Sequence, residues 1–171
     1  MTILYNGYKI KNIPNAGRAA ESTLGKQRSV NMSCFYCDKD QQLYDLMVEI
    51  CKLSVSTVYL FREQTYRGRC NVVFNKHAGN LFELSDAELG SFILDVSKTA
   101  KALNKIFSPD KINYGAYADK MQHLHMHVVP KYEGGASWGG VFEMNPQKVY
   151  LTDDEYGRMA REIKNCITGG L

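Results

Sequence analysis

The segment that decides the fold reads HLHMHVVP and spans residues 123–130. Three of the four histidines of the chain fall at alternate positions in it, at His123, His125 and His127. Because successive residues of a β-strand point to opposite faces, this spacing predicts a strand with the histidines in a row on one face, about 7 Å apart. The apolar residues between them would point the other way, into a core.

Three interpretations of the histidine row follow from its chemistry. A solvated polar face is the ordinary explanation of a lone histidine, but it does not suit three histidines in five positions. Alternating histidines suit a divalent metal ion. A neutral imidazole can also attack phosphorus, provided that its second nitrogen donates to a fixed acceptor that sets the tautomer. The residues alone leave metal ligand and nucleophile both open.

Hydrophobic periodicity predicts helices and strands on both sides of the histidines. The predicted strands are rich in β-branched and aromatic residues and cover 55–61, 70–74, 111–117 and 124–129. The predicted helices have apolar residues at helical spacing and cover 40–51, 85–107 and 152–167. Capping boxes open the last two helices, a hairpin loop joins the first two strands, and Pro130 closes the last strand. This order predicts an α+β fold, an antiparallel sheet with helices segregated from it.

Composition limits the class of protein. With 171 residues, the chain is long enough for one domain with its own core. Its net charge of +3 is too small for a dedicated nucleic-acid binder, so no nucleic-acid partner is expected. We find neither a secretory signal nor an apolar run of membrane-spanning length. Five cysteines, an odd number, argue against a disulfide framework and favour a reducing cytoplasm.

A cysteine pair stands apart from the other three cysteines. Cys34 and Cys37 have the two-residue gap that lets two thiolates hold one ion. A redox pair or a chance spacing would be the alternatives, although no strand-to-helix redox motif surrounds the pair. A tetrahedral site needs two further ligands, and His77 is the one histidine outside the row.

Together, these motifs resemble those of the histidine-triad (HIT) family. The resemblance rests on HLHMHVVP and on its context: Asn-Lys-His at 75–77, Ser-Asp-Ala-Glu at 85–88 and Asn-Tyr-Gly at 113–115. It covers about 33–130 and implies a single HIT-like domain with a five-stranded antiparallel sheet and helices packed on it. Residues 1–30 would form an N-terminal arm, and 131–171 a C-terminal loop and helix. The family also commonly forms homodimers through the long helix and the strand beside the triad.

The same resemblance implies an enzyme that acts on a purine nucleotide. His125 would attack the α-phosphate of a dinucleoside polyphosphate or a nucleoside phosphoramidate, and His127 would assist. Water would release the nucleotide in a hydrolase, whereas another acceptor would take it in a nucleotidyltransferase or phosphorylase. A non-catalytic nucleotide-binding interaction protein is the remaining alternative. We expect an apolar base pocket to draw on Phe35, Tyr36 and Leu43.

Four further residues are expected to contact the substrate. Asn113 matches a family position near the bound nucleotide. Asp119 stands four residues before the first histidine, where the family usually has a glutamine, and its carboxylate would repel a polyphosphate unless protonated or paired with Lys120. Lys120 or Gln122 would then take the role of the glutamine, or the favoured substrate would differ.

The cysteine pair is similar to that of the zinc-containing branch of the family, which includes dinucleoside polyphosphate hydrolases, and to that of the related galactose-1-phosphate uridylyltransferases. That similarity implies a structural zinc ion on Cys34, Cys37, His77 and His123. In family members that lack the cysteines, a histidine like His77 instead orients the triad by a hydrogen bond.

Overall fold

The computed structural model describes residues 34–169 and two short strands before them. The chain divides into two compact units, Met1–Asn31 and Met32–Leu171. Within the first unit, β1 (Leu4–Tyr5) and β2 (Tyr8–Lys9) pair antiparallel. The rest of the predicted N-terminal arm lies outside the described residues, and the single-domain assignment for 1–171 stays a prediction.

Five antiparallel strands form the sheet of the second unit. They are β3 (Met47–Lys52), β4 (Ser56–Phe61), β5 (Cys70–Phe74), β6 (Lys111–Gly115) and β7 (His125–Lys131). Their order across the sheet is β3-β4-β5-β7-β6, so β3 and β6 are the two edges. The predicted α+β fold with a five-stranded antiparallel sheet is confirmed.

In the described part of the chain, four α-helices accompany the sheet: α1 (Phe35–Asp38), α2 (Gln41–Leu46), α3 (Asp86–Phe107) and α4 (Asp153–Thr168). Both predicted capping boxes are present, on Ser85 with Glu88 and on Thr152 with Glu155. They satisfy backbone N–H groups that the first turn of a helix leaves unpaired, which is why α3 and α4 begin where expected. Among the described residues, no helix is long and apolar enough to cross a membrane.

The two faces of the sheet carry different cores. Helices α3 and α4 pack on one face, where Val58, Val72 and Val128 meet Phe92 and Ile163. Neighbouring strand residues point to the other face, where Tyr59 and Val73 pack against α1 and α2. This alternation places His125 and His127 of β7 on the face away from the long helices, as the predicted strand requires.

The predicted helix at 40–51 is wrong in its second half. The helix ends at Leu46, and Met47 begins β3, which pairs with β4 from Met47–Phe61 to Lys52–Thr57. A bulge between Glu49 and Cys51 shifts the register of β3. Pairing with β4 supplies the backbone hydrogen bonds of this segment, and such tertiary pairing overrides a weak local preference for helix. This strand is the fifth member of the sheet, which local periodicity did not locate.

Strand β7 also runs past its predicted end. Pro130 pairs with Ile112 of β6 instead of closing the strand. The last residue of β7 opposite β5 is Val128, which faces Cys70. Beyond that point β7 has one neighbouring strand, and an edge position tolerates the missing N–H of proline.

Candidate functional site

The histidine row lies where β7 begins, between β5 and the edge strand β6. His125 and His127 belong to the strand, while His123 precedes its first residue. All three side chains are buried, with exposed fractions of 1%, 7% and 3% in chain order. The rings of His125 and His127 are 5.0 Å apart between centroids and lie edge to face. The row is therefore not a solvated polar face.

His123 turns one ring nitrogen to the sheet and the other to the cysteine pair. Its Nε2 donates to the carbonyl oxygen of Phe74 at 2.8 Å, so its Nδ1 carries a lone pair. That Nδ1 lies 3.3 Å from Sγ of Cys34 and 3.4 Å from Sγ of Cys37. Burial lowers the pKa of His123, which keeps the lone pair available at neutral pH.

The four residues of the predicted metal site come together. The ligand atoms of Cys34, Cys37, His77 and His123 all lie within 4.8 Å of one another, and Sγ of Cys37 is 3.3 Å from Nδ1 of His77. A tetrahedral zinc ion with ordinary bond lengths separates its sulfur and nitrogen ligands by about 3.5 Å. The donor set and its spacing therefore fit a closed tetrahedral metal site.

Helix α1 brings the two cysteines to this point. Cys34 is the N-cap residue of the helix and Cys37 lies in its single turn, so both sulfurs face the same direction. Tyr36, between them, packs its ring 5.2 Å from that of His123 and 5.3 Å from that of His125. The cysteine loop is thus in direct contact with the first two histidines of the row.

His125 has the opposite tautomer to His123. Its Nδ1 donates to the backbone carbonyl of His123 at 2.7 Å, which leaves the lone pair on Nε2. Burial lowers its pKa, so the ring is neutral at pH 7. A neutral imidazole with a fixed Nδ1–H and a free Nε2 is the state required of a nucleophile.

His127 contacts a residue that the sequence reasoning missed. Nη2 of Arg69 lies 3.2 Å from Nδ1 of His127. Burial, then the charge of Arg69 and then His125, lower the pKa of His127 to about 2. Arg69 itself is fully buried at the start of β5. The one signal in the sequence is an arginine directly before the apolar run 70–74, which local patterning assigns to the hairpin loop.

Two cavities border His125. The smaller, of about 400 Å³, has a mainly aromatic and apolar wall that includes Phe35, Tyr36 and Phe61, and it also reaches His127 and Arg69. The larger, of about 930 Å³, lies on the side of 77–83 and 116–119. A ligand that fills both cavities would place the bond between its two halves beside His125.

The predicted substrate residues divide between these cavities. Asp119 borders both, Lys120 the smaller and Gln122 the larger. The described residues that line the two cavities do not include Asn113, which lies on β6 opposite Val129, and its role stays a prediction. Phe35 and Tyr36 line the smaller cavity as expected, whereas Leu43 is fully buried behind them.

The glycine-rich segment after β7 forms a folded turn. Nζ of Lys131 donates to the carbonyl oxygens of Ser137 and Gly140, the latter at 2.8 Å. The side chain of Trp138 is 43% exposed, so Trp138 is a surface residue. The chain then returns to the site, where Met144 and Asn145 line the smaller cavity.

Comparisons with known proteins agree with this geometry. A family model described as the HIT domain matches residues 49–134, half of the chain. The adenosine 5'-monophosphoramidase of Schizosaccharomyces pombe is 26% identical over 129 residues, 72% of this chain and 96% of its own.

Solved structures share the fold. A histidine triad protein from Bradyrhizobium japonicum has a TM-score of 0.68 at 20% identity, over 75% of this chain and 96% of its own. A Zn-bound histidine triad family protein from Mycobacterium smegmatis has a TM-score of 0.56 at 16% identity, over 81% and 95%. Since the matched region holds the sheet, the long helix and the histidine row, the chain belongs to the HIT domain family.

Proposed function

We propose that this protein is a nucleotide hydrolase that cleaves at the α-phosphate of a purine nucleoside phosphate through a nucleotidyl-histidine intermediate on His125. The observation that carries the proposal is the hydrogen bond from Nδ1 of His125 to the carbonyl of His123. That bond leaves Nε2 unprotonated, in a residue that borders both cavities. The aromatic wall of the smaller cavity suits a purine base, which stacks on rings.

The reaction proceeds in two displacements at the α-phosphorus. The Nε2 lone pair of His125 forms a bond to the α-phosphorus, and the bond from phosphorus to the leaving group breaks. The leaving group takes a proton from water. The Nδ1–H of His125 stays bonded to the carbonyl of His123, which stabilises the positive charge that the ring acquires. A water molecule then attacks phosphorus and gives a proton to the hydroxide left by the first displacement. The P–N bond breaks with its electron pair returning to Nε2 of His125, and the nucleoside monophosphate departs.

The larger cavity favours an amine as the leaving group. Among the described residues that line it are the side chains of Glu83 and Asp119 but no lysine or arginine. Hydrogen bonds from the Asn80 side chain and the Gly79 backbone lower the pKa of Glu83, so it is ionised at neutral pH. The negative charge of this carboxylate would repel a second phosphate chain, whereas it would attract the positive charge of a protonated amine. A nucleoside phosphoramidate therefore suits the site better than a dinucleoside polyphosphate.

The resemblance to an adenosine 5'-monophosphoramidase supports the same choice. At 26% identity, that relative provides a substrate to try first and leaves the base preference to experiment. Phosphoramidate cleavage also suits a neutral His127, because the amine that leaves brings no second anionic group that a positive charge on His127 would have to neutralise.

We also propose that the metal site holds zinc on Cys34, Cys37, His77 and His123. Four protein ligands leave no open position for water, so the ion would be structural and would supply no step of the reaction. Its role would be to hold α1, and with it Tyr36, against the start of β7. Two thiolates and two imidazoles are a donor set that suits zinc, and the solved histidine triad family protein from Mycobacterium smegmatis is zinc-bound.

The central experiment compares the native protein with His125→Ala on adenosine phosphoramidate and on a diadenosine polyphosphate. We expect the native protein to release AMP, faster from the phosphoramidate, and His125→Ala to lose at least about 10³-fold in turnover. Native protein quenched in alkaline denaturant, in which a P–N bond to histidine survives, should carry a radiolabel from the nucleotide, and the variant should not. Equal rates for the two proteins, or no cleavage of either substrate, would overturn the proposal.

Product analysis separates hydrolysis from transfer. In ¹⁸O-water a hydrolase places the label in AMP, and added inorganic phosphate leaves the products unchanged. A nucleotidyltransferase or phosphorylase would give ADP when phosphate is added. A binding protein without catalysis would bind added AMP but release no product from either substrate.

A further inference from the structure

Arg69 is a buried cation without a paired anion among the described residues. Its side chain is fully buried, and no carboxylate of the described part of the chain lies within ion-pair distance. Burial lowers its pKa to about 10, so it remains charged at neutral pH. Burying an arginine without a paired anion is costly unless other groups use its charge and its donors.

The guanidinium is held between two aromatic rings and the backbone of the C-terminal segment. It lies 4.3 Å from the ring centroid of Phe61 and 5.2 Å from that of Phe142. Nη1 donates to the carbonyl oxygens of Glu143 and Met144, at 3.2 and 2.8 Å. These contacts fix the plane of the guanidinium and leave Nη2 directed at His127.

The contact between Nη2 and Nδ1 of His127 determines where the proton of that ring lies. A guanidinium has five N–H donors and no acceptor. Nδ1 of His127 must therefore accept, and in the neutral ring the proton is on Nε2. That Nε2 is buried and has no partner among the described residues, in a side chain that lines the smaller cavity.

From this arrangement, and resting on the function proposed above, we propose that Arg69 is a positioning residue that fixes His127 as an Nε2–H hydrogen-bond donor to the phosphate of the substrate. Without the guanidinium, nothing in the described structure would choose between the two tautomers of His127. The wrong tautomer would turn a lone pair toward a phosphate oxygen, where a donor is needed. Burial and the fixed positive charge of Arg69 together keep His127 neutral, so it donates a hydrogen bond and does not transfer a proton.

The same side chain joins His127 to the C-terminal segment. Glu143 and Met144, whose carbonyls accept from Nη1, precede Asn145, and Met144 and Asn145 line the smaller cavity. The backbone N–H of Glu143 donates to the hydroxyl of Tyr66, which gives the segment a second attachment at 2.8 Å. Arg69 thus aligns His127 and one wall of the nucleotide cavity through a single group.

The test is the tautomer of His127, read from ¹⁵N chemical shifts of the imidazole nitrogens in protein labelled at histidine. Four histidines give four rings, and the His127 signals are those that disappear in His127→Gln. In the native zinc-loaded protein we expect a protonated Nε2 and an unprotonated Nδ1. In Arg69→Met we expect a mixture of tautomers, and kcat for adenosine phosphoramidate lower by at least about 10-fold, with a smaller change in KM.

Arg67→Met is the matched control, since Arg67 is exposed two residues away in the same loop. We expect it to keep the native tautomer and the native kcat. If Arg69→Met does not fold, Arg69→Gln replaces it in the test. Its amide is a neutral donor, and we expect a smaller fraction of His127 with a protonated Nε2 than in the native protein, but a larger fraction than the other tautomer. Protonated Nδ1 in the native His127, or an unchanged tautomer in Arg69→Met, would overturn the proposal. Because the shifts require no turnover, a native protein that cleaved nothing would refute the proposed function and leave this assignment standing.

Discussion

At the scale of single residues, hydrogen bonds place the ring proton of His125 on a different nitrogen from that of His123 and His127. His123 and His127 present a lone pair on Nδ1, to the cysteines and to Arg69, whereas His125 presents its lone pair on Nε2. The alternation of residues predicts where these rings lie, but not their tautomers. The tautomers depend on Phe74, on the His123 carbonyl and on Arg69, and only folding brings these partners to the rings.

We expect burial of His127 to make the folded protein sensitive to acid. Its pKa is near 6.5 in the unfolded chain and about 2 in the folded protein, so between these values the unfolded state binds one more proton. The stability from the neutral ring is complete above about pH 6.5 and is lost as the pH falls. In the native protein the free energy of unfolding should decrease as the pH falls below about 6.5. We expect this decrease to be less steep in His127→Gln, by up to about 1.4 kcal/mol per pH unit.

Urea unfolding at pH 7.5, 6.5 and 5.5, with zinc in excess, measures this slope in both proteins. Because the metal ligands are the same in the two, their own titration cancels in the difference. Identical slopes for native protein and variant would show that the His127 ring is not neutral and buried.

Asp95 carries a second prediction at residue scale. This buried carboxylate of α3 accepts from the hydroxyls of Ser54 and Ser56, at 2.9 and 2.8 Å, and from the N–H of Val55 at 3.1 Å. Because truncation leaves these three donors unpaired, we expect Asp95→Ala to lower the free energy of unfolding by about 2–4 kcal/mol. Lys98→Ala, at an exposed position of the same helix, should change it by less than about 0.5 kcal/mol in the same denaturation assay.

At the scale of elements, α1 has too few residues to be stable alone. It comprises the single turn Phe35–Asp38, and a helix this short has no independent stability. Its attachment to the start of β7 therefore depends on its buried aromatic residues and on the proposed zinc ion. The spacing of the cysteines is visible in the local sequence. Their approach to His77 and His123 depends on the fold, because His77 follows β5 and His123 precedes β7.

Removal of the metal should loosen this element. We expect Cys37→Ser to bind less than one equivalent of zinc and to unfold roughly 10 °C below the native protein, as loss of about 3 kcal/mol implies for a chain of this size. Elemental analysis and thermal denaturation measure the two effects. Cys166→Ser, at a half-buried cysteine of α4 outside the cluster, is the control and should retain zinc. Native protein free of zinc when purified without chelators would contradict the site.

At the scale of the whole molecule, two exposed apolar surfaces bear on assembly. Ile93 and Leu94 on α3 are 44% and 63% exposed, and Tyr114 on β6 is 52% exposed. Strand β6 is also a sheet edge, with one side free of a neighbouring strand among the described residues. We propose that these surfaces form a two-fold homodimer, as the family resemblance implies.

Sedimentation equilibrium tests the dimer. We expect a mass of twice the 19.4 kDa chain for the native protein, and a shift toward monomer for Leu94→Lys or Tyr114→Lys, since each would bury a charge in the interface. Phe82→Ser removes a side chain that is 84% exposed elsewhere and should leave the mass unchanged. A native protein that is monomeric at tens of micromolar would refute the homodimer.

The sequence by itself determined the features whose signals are local. Capping boxes begin α3 and α4, β-branched runs define β4 and β5, and period-two histidines place β7, because each depends on neighbours within a few residues. The tertiary structure alone decided three others. Pairing with β4 makes 47–52 a strand instead of the predicted helix. The antiparallel pairing of β5 with β7 brings Arg69 to His127. The packing of α1 brings the cysteines to His77 and His123. These outcomes depend on contacts between residues far apart in the chain, which local periodicity does not encode.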